Sequence, residues 1–377
     1  MDIYEQSMEL HRQFKGKISI NLRDTPDTKE KLSIYYTPGV AGVAKYTAEH
    51  PEQLRDVAWT NNLVAVVSDG SAVLGLGDIG PYGAMPVMEG KAMLFKHFAN
   101  IDAVPIVLDV HEPEEIIAAV KAIAPSFGGI NLEDIAAPKC FMIEERLKSE
   151  LPIPVMHDDQ HGTAIVTLAG LINAMKVVDK NLDKCRIVVV GAGAAGTAII
   201  KLLNLYTKAE IIAVDSTGII SKDRPDLNAE KHSLLVYTNP NHINGSLEHA
   251  LMGADVFIGV SKDGLLSPEM VHSMADKAVI FAMANPDPEI LPDAAKEAGA
   301  AVVATGRSDF PNQVNNSLGF PGIFRGALDN GVTRITDKHK LAAAQALANL
   351  VPEPTADKII PGPFDPGVVV AVSGAIK

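Results

Sequence analysis

The glycine loop at 191–196 restricts the fold of this chain more than any other stretch. Gly191-Ala192-Gly193-Ala194-Ala195-Gly196 follows the apolar run Ile187-Val188-Val189-Val190, and a helix-spaced segment, 197–205, comes after it. A lone G-x-G-x-x-G is a weak signal. Between a strand and a helix it allows a tight turn, lets a pyrophosphate approach the backbone and aims a helix N-terminus at that charge. Asp215 closes the next apolar run, near the distance at which a carboxylate holds ribose hydroxyls. Strands are predicted at 187–190, 211–214, 255–259, 279–282 and 301–303, with helices between them, which describes a doubly wound nucleotide-binding domain. Asp215 favours NAD, because a carboxylate repels a 2′-phosphate. Ser216 and Thr217 are small, and Lys222 and Arg224 are near in sequence, so NADP stays open.

The first part of the chain alternates in the same way. A helix is expected at 4–15 and a break at 35–40, where Pro38 and Gly39 interrupt regular structure. Strands are expected at 63–67, 104–108, 129–132 and 154–156, and helices at 90–98, from 111 onward and at 138–147. The alternation predicts a parallel sheet covered by helices. A long helix at 160–178 connects to the second part, an Ala-rich helix is expected at 336–350, and 352–366 is a proline-rich covering strap. With 377 residues the chain holds two domains by length. The expected division is a three-layer α/β/α substrate and metal domain at 1–160, followed by a Rossmann-type domain at 161–377.

Charge excludes some functions. The net charge of −13 and the lack of a basic cluster argue against nucleic acid. The N-terminus lacks the basic and apolar regions of a secretory signal, and no uninterrupted apolar stretch reaches membrane-spanning length. Cys140 and Cys185 lie far apart and read as reduced core thiols of a cytoplasmic protein.

Two acidic pairs carry the chemistry. Glu133-Asp134 sits in G-G-I-N-L-E-D-I, and Asp158-Asp159 sits in V-M-H-D-D-Q-H-G-T-A, each after an expected strand. Hard divalent cations take several oxygen ligands, and ligand sites in open α/β sheets form at the carboxyl ends of strands. Either pair alone suits the N-cap of the following helix. Two pairs at equivalent strand ends favour binding of a divalent cation. His157 and His161 have a zinc-like spacing, but the acids between them are expected to precede the helix, so the rings diverge. Paired carboxylates beside a dinucleotide loop point to a metal-assisted oxidation with loss of carbon dioxide.

Several motifs then occur in a fixed order: Tyr36-Thr37-Pro38-Gly39-Val40; Leu74-Gly75-Leu76-Gly77-Asp78-Ile79-Gly80; Met88-Glu89-Gly90-Lys91; the two acidic motifs; Phe281 to Pro286; and Asn315-Asn316 with Phe320-Pro321-Gly322. In this order they resemble malic enzymes, the small prokaryotic type most closely, from about residue 36 to 322 and again near 360–366. The resemblance implies oxidative decarboxylation of (S)-malate to pyruvate and carbon dioxide with NAD(P). It implies Glu133, Asp134 and Asp159 as ligands of Mg²⁺ or Mn²⁺, Lys91 as general base, Tyr36 as general acid, and Asp158 as support for Lys91 or the metal. Asn285 and Asn316 are implied at substrate and nicotinamide ribose, and a homodimer is implied by resemblance alone. Lys91 serves as a base if confinement and a nearby cation lower its pKa.

One departure stands out. Long animal-type members place a carboxylate-binding arginine where this chain has Ala72, so Arg307, a bidentate carboxylate partner by chemistry, becomes one candidate anchor, with a pairing to Asp309 as the alternative. Two other readings compete: a metal-dependent oxaloacetate decarboxylase and a non-catalytic nucleotide sensor. The intact glycine loop with Asp215 opposes the first. Tyr36, Lys91 and the three acids oppose the second.

Overall fold

Two parallel sheets organise the chain in the computed structural model, which describes residues 3–73 and 75–377. Met1, Asp2 and Leu74 of the Leu74-Gly75-Leu76-Gly77 motif lie outside the described residues. The first sheet holds β1 (Leu63–Ser68), β2 (Asp102–Val107), β3 (Gly129–Leu132) and β4 (Val155–His157) in the order β2-β1-β3-β4, all parallel. Strand β1 is buried along its whole length, as an apolar run in a parallel sheet should be. Val64 and Val66 face Met88 and Phe95 of the helix Gly80–Ala99. Ala65 and Val67 face Ile116 of the helix Pro113–Ile123 and Ile143 of the helix Lys139–Glu150. The result is the expected three-layer arrangement.

The second sheet runs β10-β9-β8-β5-β6-β7. It comprises β5 (Arg186–Val190), β6 (Glu210–Asp215), β7 (Gly218–Ile219), β8 (Val256–Gly259), β9 (Val279–Ala282) and β10 (Val302–Thr305). Only β7 is antiparallel, paired with β6. Strand order reverses between β5 and β8, which opens the crevice where dinucleotides bind in such sheets. The 191–196 loop lies at that point.

The helix Asp158–Val178 joins the two parts. It is long and apolar enough to cross a membrane, yet 78% of its apolar window is buried inside the protein, packed on the helices Ala194–Tyr206 and Asp337–Asn349. It is a core helix. It begins at Asp158 rather than residue 160, so both acids lie in its first turn. The helix around Lys91 also starts earlier than periodicity indicated, at Gly80, and runs through Pro86. After the irregular strap, a helix at Val368–Gly374 packs on the helix Phe320–Asn330, where Val372 covers Gly322. None of residues 3–59 is buried, the helix Ile3–Phe14 included.

Candidate active site

Sheet register builds the site. Leu132 pairs with His157 across β3 and β4, so the residues that follow, Glu133 and Asp158, emerge side by side. Lys91 reaches them from the helix Gly80–Ala99. Its Nζ lies 2.6 Å from Asp158 Oδ2 and 2.8 Å from Glu133 Oε1, and 4.3 Å from the centre of the Phe320 ring. Lys91 is 8% exposed and Asp158 fully buried. A surface lysine with its head in water is therefore excluded.

The electrostatics differ from the sequence expectation in one respect. Burial does push the Lys91 ammonium toward deprotonation, but the attraction of Asp158, Glu133 and Asp159 outweighs it and raises its pKa. Burial likewise raises Asp158 to about 6 and Glu133 well above the carboxylate range, although Lys91 opposes both shifts. Without a cation at the acids, Lys91 holds its proton.

Glu133, Asp134 and Asp159 each present a carboxylate oxygen, and these atoms lie within 4.8 Å of one another. Asp134 takes a left-handed backbone, and its N–H donates to Asp159 Oδ2 over 2.8 Å. Asn131 Nδ2 donates to the other oxygen of Glu133 at 2.8 Å. No side chain caps the helix that begins at Asp158, so the helix-cap alternative for this pair falls away. Three hard, converging oxygens suit Mg²⁺ or Mn²⁺. His157 and His161 do not form a zinc pair: His161 Nε2 lies 2.9 Å from Glu144 Oε2, while His157 Nδ1 lies 3.7 Å from Asp159 Oδ2.

Glu144 is a functional residue that sequence reasoning missed. Its carboxylate accepts from the His157 N–H at 3.0 Å and from Gln160 Nε2 at 3.4 Å, and it pairs with His161. It anchors the acidic turn from behind. In E-E-R-L-K-S-E it reads as one more surface acid, and no signal singles it out.

The dinucleotide loop has the form its glycines require. Gly191 has φ +106°, and a Cβ there would lie 2.7 Å from the Val260 carbonyl oxygen. A Cβ at Gly196 would overlap the Gly191 carbonyl, whereas one at Gly193 would meet nothing. The open side at Gly193 adjoins the N-terminus of the helix Ala194–Tyr206, which no side chain caps, so the loop fits a pyrophosphate. Ala192, Ala194 and Ala195 complete the turn. Asp215 is not free. Arg224 grips it through two nitrogens at 2.7 and 3.0 Å, and Lys231 Nζ lies 2.6 Å away. Burial raises the Asp215 carboxyl, but these donors overcome it and hold the pKa down.

The remaining candidates divide. Asn316 stands over the long helix, its Cβ 3.0 Å from where a Cβ on Gly162 would sit. Asn285 lies in the loop after β9, its carbonyl pressed against Gly75. Arg307 is not brought to the cluster as a free cation. It binds Asp309 through two nitrogens at 2.9 and 2.7 Å and Asp287 at 2.8 Å. Tyr36 is 67% exposed, and among the described residues no hydrogen bond joins its hydroxyl to Lys91.

Three converging carboxylates and a glycine loop at a sheet crevice are the groups that a metal-assisted nicotinamide oxidoreductase needs. Residues 15–148 match the malic enzyme N-terminal domain and residues 160–363 the malic enzyme NAD-binding domain. The chain belongs to the malic enzyme family. It is 53% identical to the bifunctional malic/malolactic enzyme of Bacillus subtilis, covering 100% of this chain and 92% of that protein. It is 46% identical to an NADP-dependent malic enzyme of Rhizobium meliloti, covering 99% of this chain and 51% of that protein. The crystal structure of the NAD-dependent malic enzyme from Thermotoga maritima superposes with a TM-score of 0.96 at 52% identity, covering 100% of this chain and 99% of that one.

Proposed function

We propose that this chain oxidises (S)-malate and decarboxylates it to pyruvate and carbon dioxide. The observation that carries the reading is the buried Lys91–Asp158–Glu133 contact at the edge of a three-carboxylate cluster. Glu133, Asp134 and Asp159 would hold Mg²⁺ or Mn²⁺, which supplies Lewis-acid stabilisation of developing negative charge, while the dinucleotide on the 191–196 loop supplies the hydride acceptor. With those three acids engaged, the charge that keeps a proton on Lys91 falls, and Lys91 accepts the proton of the C2 hydroxyl. Asp158 holds the Lys91 side chain at the position where that proton arrives. Loss of the carboxylate β to the new carbonyl as carbon dioxide leaves an enolate, whose C3 takes a proton from Tyr36. Asn285 and Asn316 position the substrate and the nicotinamide ribose.

The working unit is a homodimer. Residues 3–59 expose Phe14, Ile20, Leu22, Leu32, Ile34 and Tyr35, a concentration of apolar surface that suits a subunit interface. Tyr36 lies in the same segment, which supports its delivery to Lys91 of a second copy. Residues 1–160 form the substrate and metal part of each copy and 161–377 the dinucleotide part, at work in the cytoplasm.

Reduction of NAD or NADP by malate with Mn²⁺, followed at the nicotinamide absorbance, tests the reading. Growth of that absorbance on malate addition is the expected result. Carbon dioxide release from oxaloacetate with no malate-driven reduction would instead identify a decarboxylase.

A further inference from the structure

The H-D-D-Q-H-G-T-A segment contains one residue that metal binding and proton transfer leave unexplained. Gly162 is a buried glycine inside a long helix, where alanine is the better helix former. Its backbone is ordinary, so conformational freedom does not account for it. Space does. A Cβ at 162 would overlap Asp158 Oδ1, one helical turn earlier, and would lie 2.9 Å from Asp158 Cγ and 3.0 Å from Asn316 Cβ. Asp158 has nowhere else to go. It is fully buried, its Oδ2 is held by Lys91 at 2.6 Å, and its Oδ1 has no hydrogen-bond partner. That oxygen occupies the notch left by the missing side chain.

We infer that Gly162 is a positioning residue for the proton-transfer lysine: its missing side chain seats the Asp158 carboxylate, and that seat fixes Lys91. This rests on the malate-oxidising reading and deepens it. Any relief of an added methyl group moves Asp158 away from Lys91 or displaces Asn316. Both belong to the site, and neither belongs to the dinucleotide loop. The contact with Asp158 is much the closer of the two, so Asp158 is the group that shifts, the effect falls on the chemical step, and the 191–196 pyrophosphate loop is untouched.

The test is a cycle of Gly162→Ala, Asp158→Ala and the double variant, assayed beside the wild-type protein with malate, Mn²⁺ and dinucleotide. Displacing a reacting group by about 1 Å costs about a hundredfold in rate. The kcat of Gly162→Ala should fall by about that factor, with a much smaller change in KM for malate. Reduced-dinucleotide affinity by fluorescence and Tm should stay near wild type. In the Asp158→Ala background the overlap is gone, so adding Gly162→Ala should change kcat little, and the double variant should fold even if the single one does not. Wild-type kcat in Gly162→Ala overturns the inference while leaving the malate reading intact. An equal loss in both backgrounds also overturns it, because the glycine would then act without Asp158. A wild-type protein unable to oxidise malate removes both.

Discussion

Asp158 Oδ2 and Lys91 Nζ meet at 2.6 Å with both side chains withdrawn from water, so the proposed base carries its counter-charge with it. A buried pair of this kind is a poor source of stability but a good means of fixing a reactive group. Glu133 touches the same ammonium at 2.8 Å and also belongs to the metal cluster. A cation held there would thereby be linked to Lys91 protonation through one carboxylate.

Lys91→Met should reduce malate oxidation by ~10²–10⁴-fold, the range lost with a general base. Dinucleotide affinity should not change, because the 191–196 loop makes no use of Lys91. Steady-state rates and a fluorescence titration with reduced cofactor measure the two separately. Turnover near wild type at neutral pH would remove Lys91 from the base role.

Asp159→Asn keeps an oxygen to accept the Asp134 N–H but loses a charge from the cluster. Mn²⁺ at a hundred times its Kd should stabilise the wild-type protein by about 2.7 kcal/mol. Most of that rise in Tm should vanish in the variant, while the metal-free Tm stays level or increases as repulsion among the acids eases. An unchanged Mn²⁺ response would show that Asp159 is not a ligand.

Asp215 reaches the crevice already paired with Arg224 and Lys231, so the cofactor choice depends on three residues. Lys231→Ala should leave the carboxylate to Arg224 and the Thr217 N–H and remove a cation able to meet a 2′-phosphate. A charged hydrogen bond is worth about 1.5–3 kcal/mol, so the ratio of kcat/KM for NADP to that for NAD should fall about tenfold or more. A ratio unaffected by the substitution would place phosphate discrimination elsewhere.

Acid should weaken the protein through Glu144. Burial alone would raise its carboxyl, but His161 and the surrounding donors lower it from 4.5 to about 2. A depressed carboxyl gives stability that is complete above the unfolded value of 4.5 and is lost as the pH falls toward 2. His161 acts in the same direction: burial lowers its pKa despite Glu144, so protonation below the ordinary 6.5 favours the unfolded chain. Glu144→Gln should lower Tm at neutral pH and flatten its decline between pH 4.5 and 2. A decline as steep as in wild type would assign acid sensitivity to other groups.

The strands were legible because a buried parallel strand is an unbroken apolar run, and Ile187-Val188-Val189-Val190 admits few other readings. The convergence of three carboxylates was legible from two acidic pairs after two such runs. Boundaries were less clear where local chemistry has two meanings. Asp158 and Asp159 look like helix caps yet form the first turn, and Pro81 and Pro86 hide the start of the Lys91 helix. The Val368–Gly374 helix is spelled in β-branched residues that favour strands. Long-range pairings left no trace in sequence. Glu144 reaches the acidic turn from another helix, and the grip of Arg224 and Lys231 on Asp215 depends on how the loop after β6 folds back.

In the proposed reaction one cluster both oxidises and decarboxylates the same substrate. The direct test follows (S)-malate, pyruvate, carbon dioxide and reduced cofactor together, in protein stripped of metal by EDTA and then supplied with Mn²⁺. No reaction is expected before the metal and, after it, pyruvate, carbon dioxide and reduced cofactor should form in equal amounts. Malate consumed without net reduced cofactor, or turnover that persists in EDTA, would contradict it.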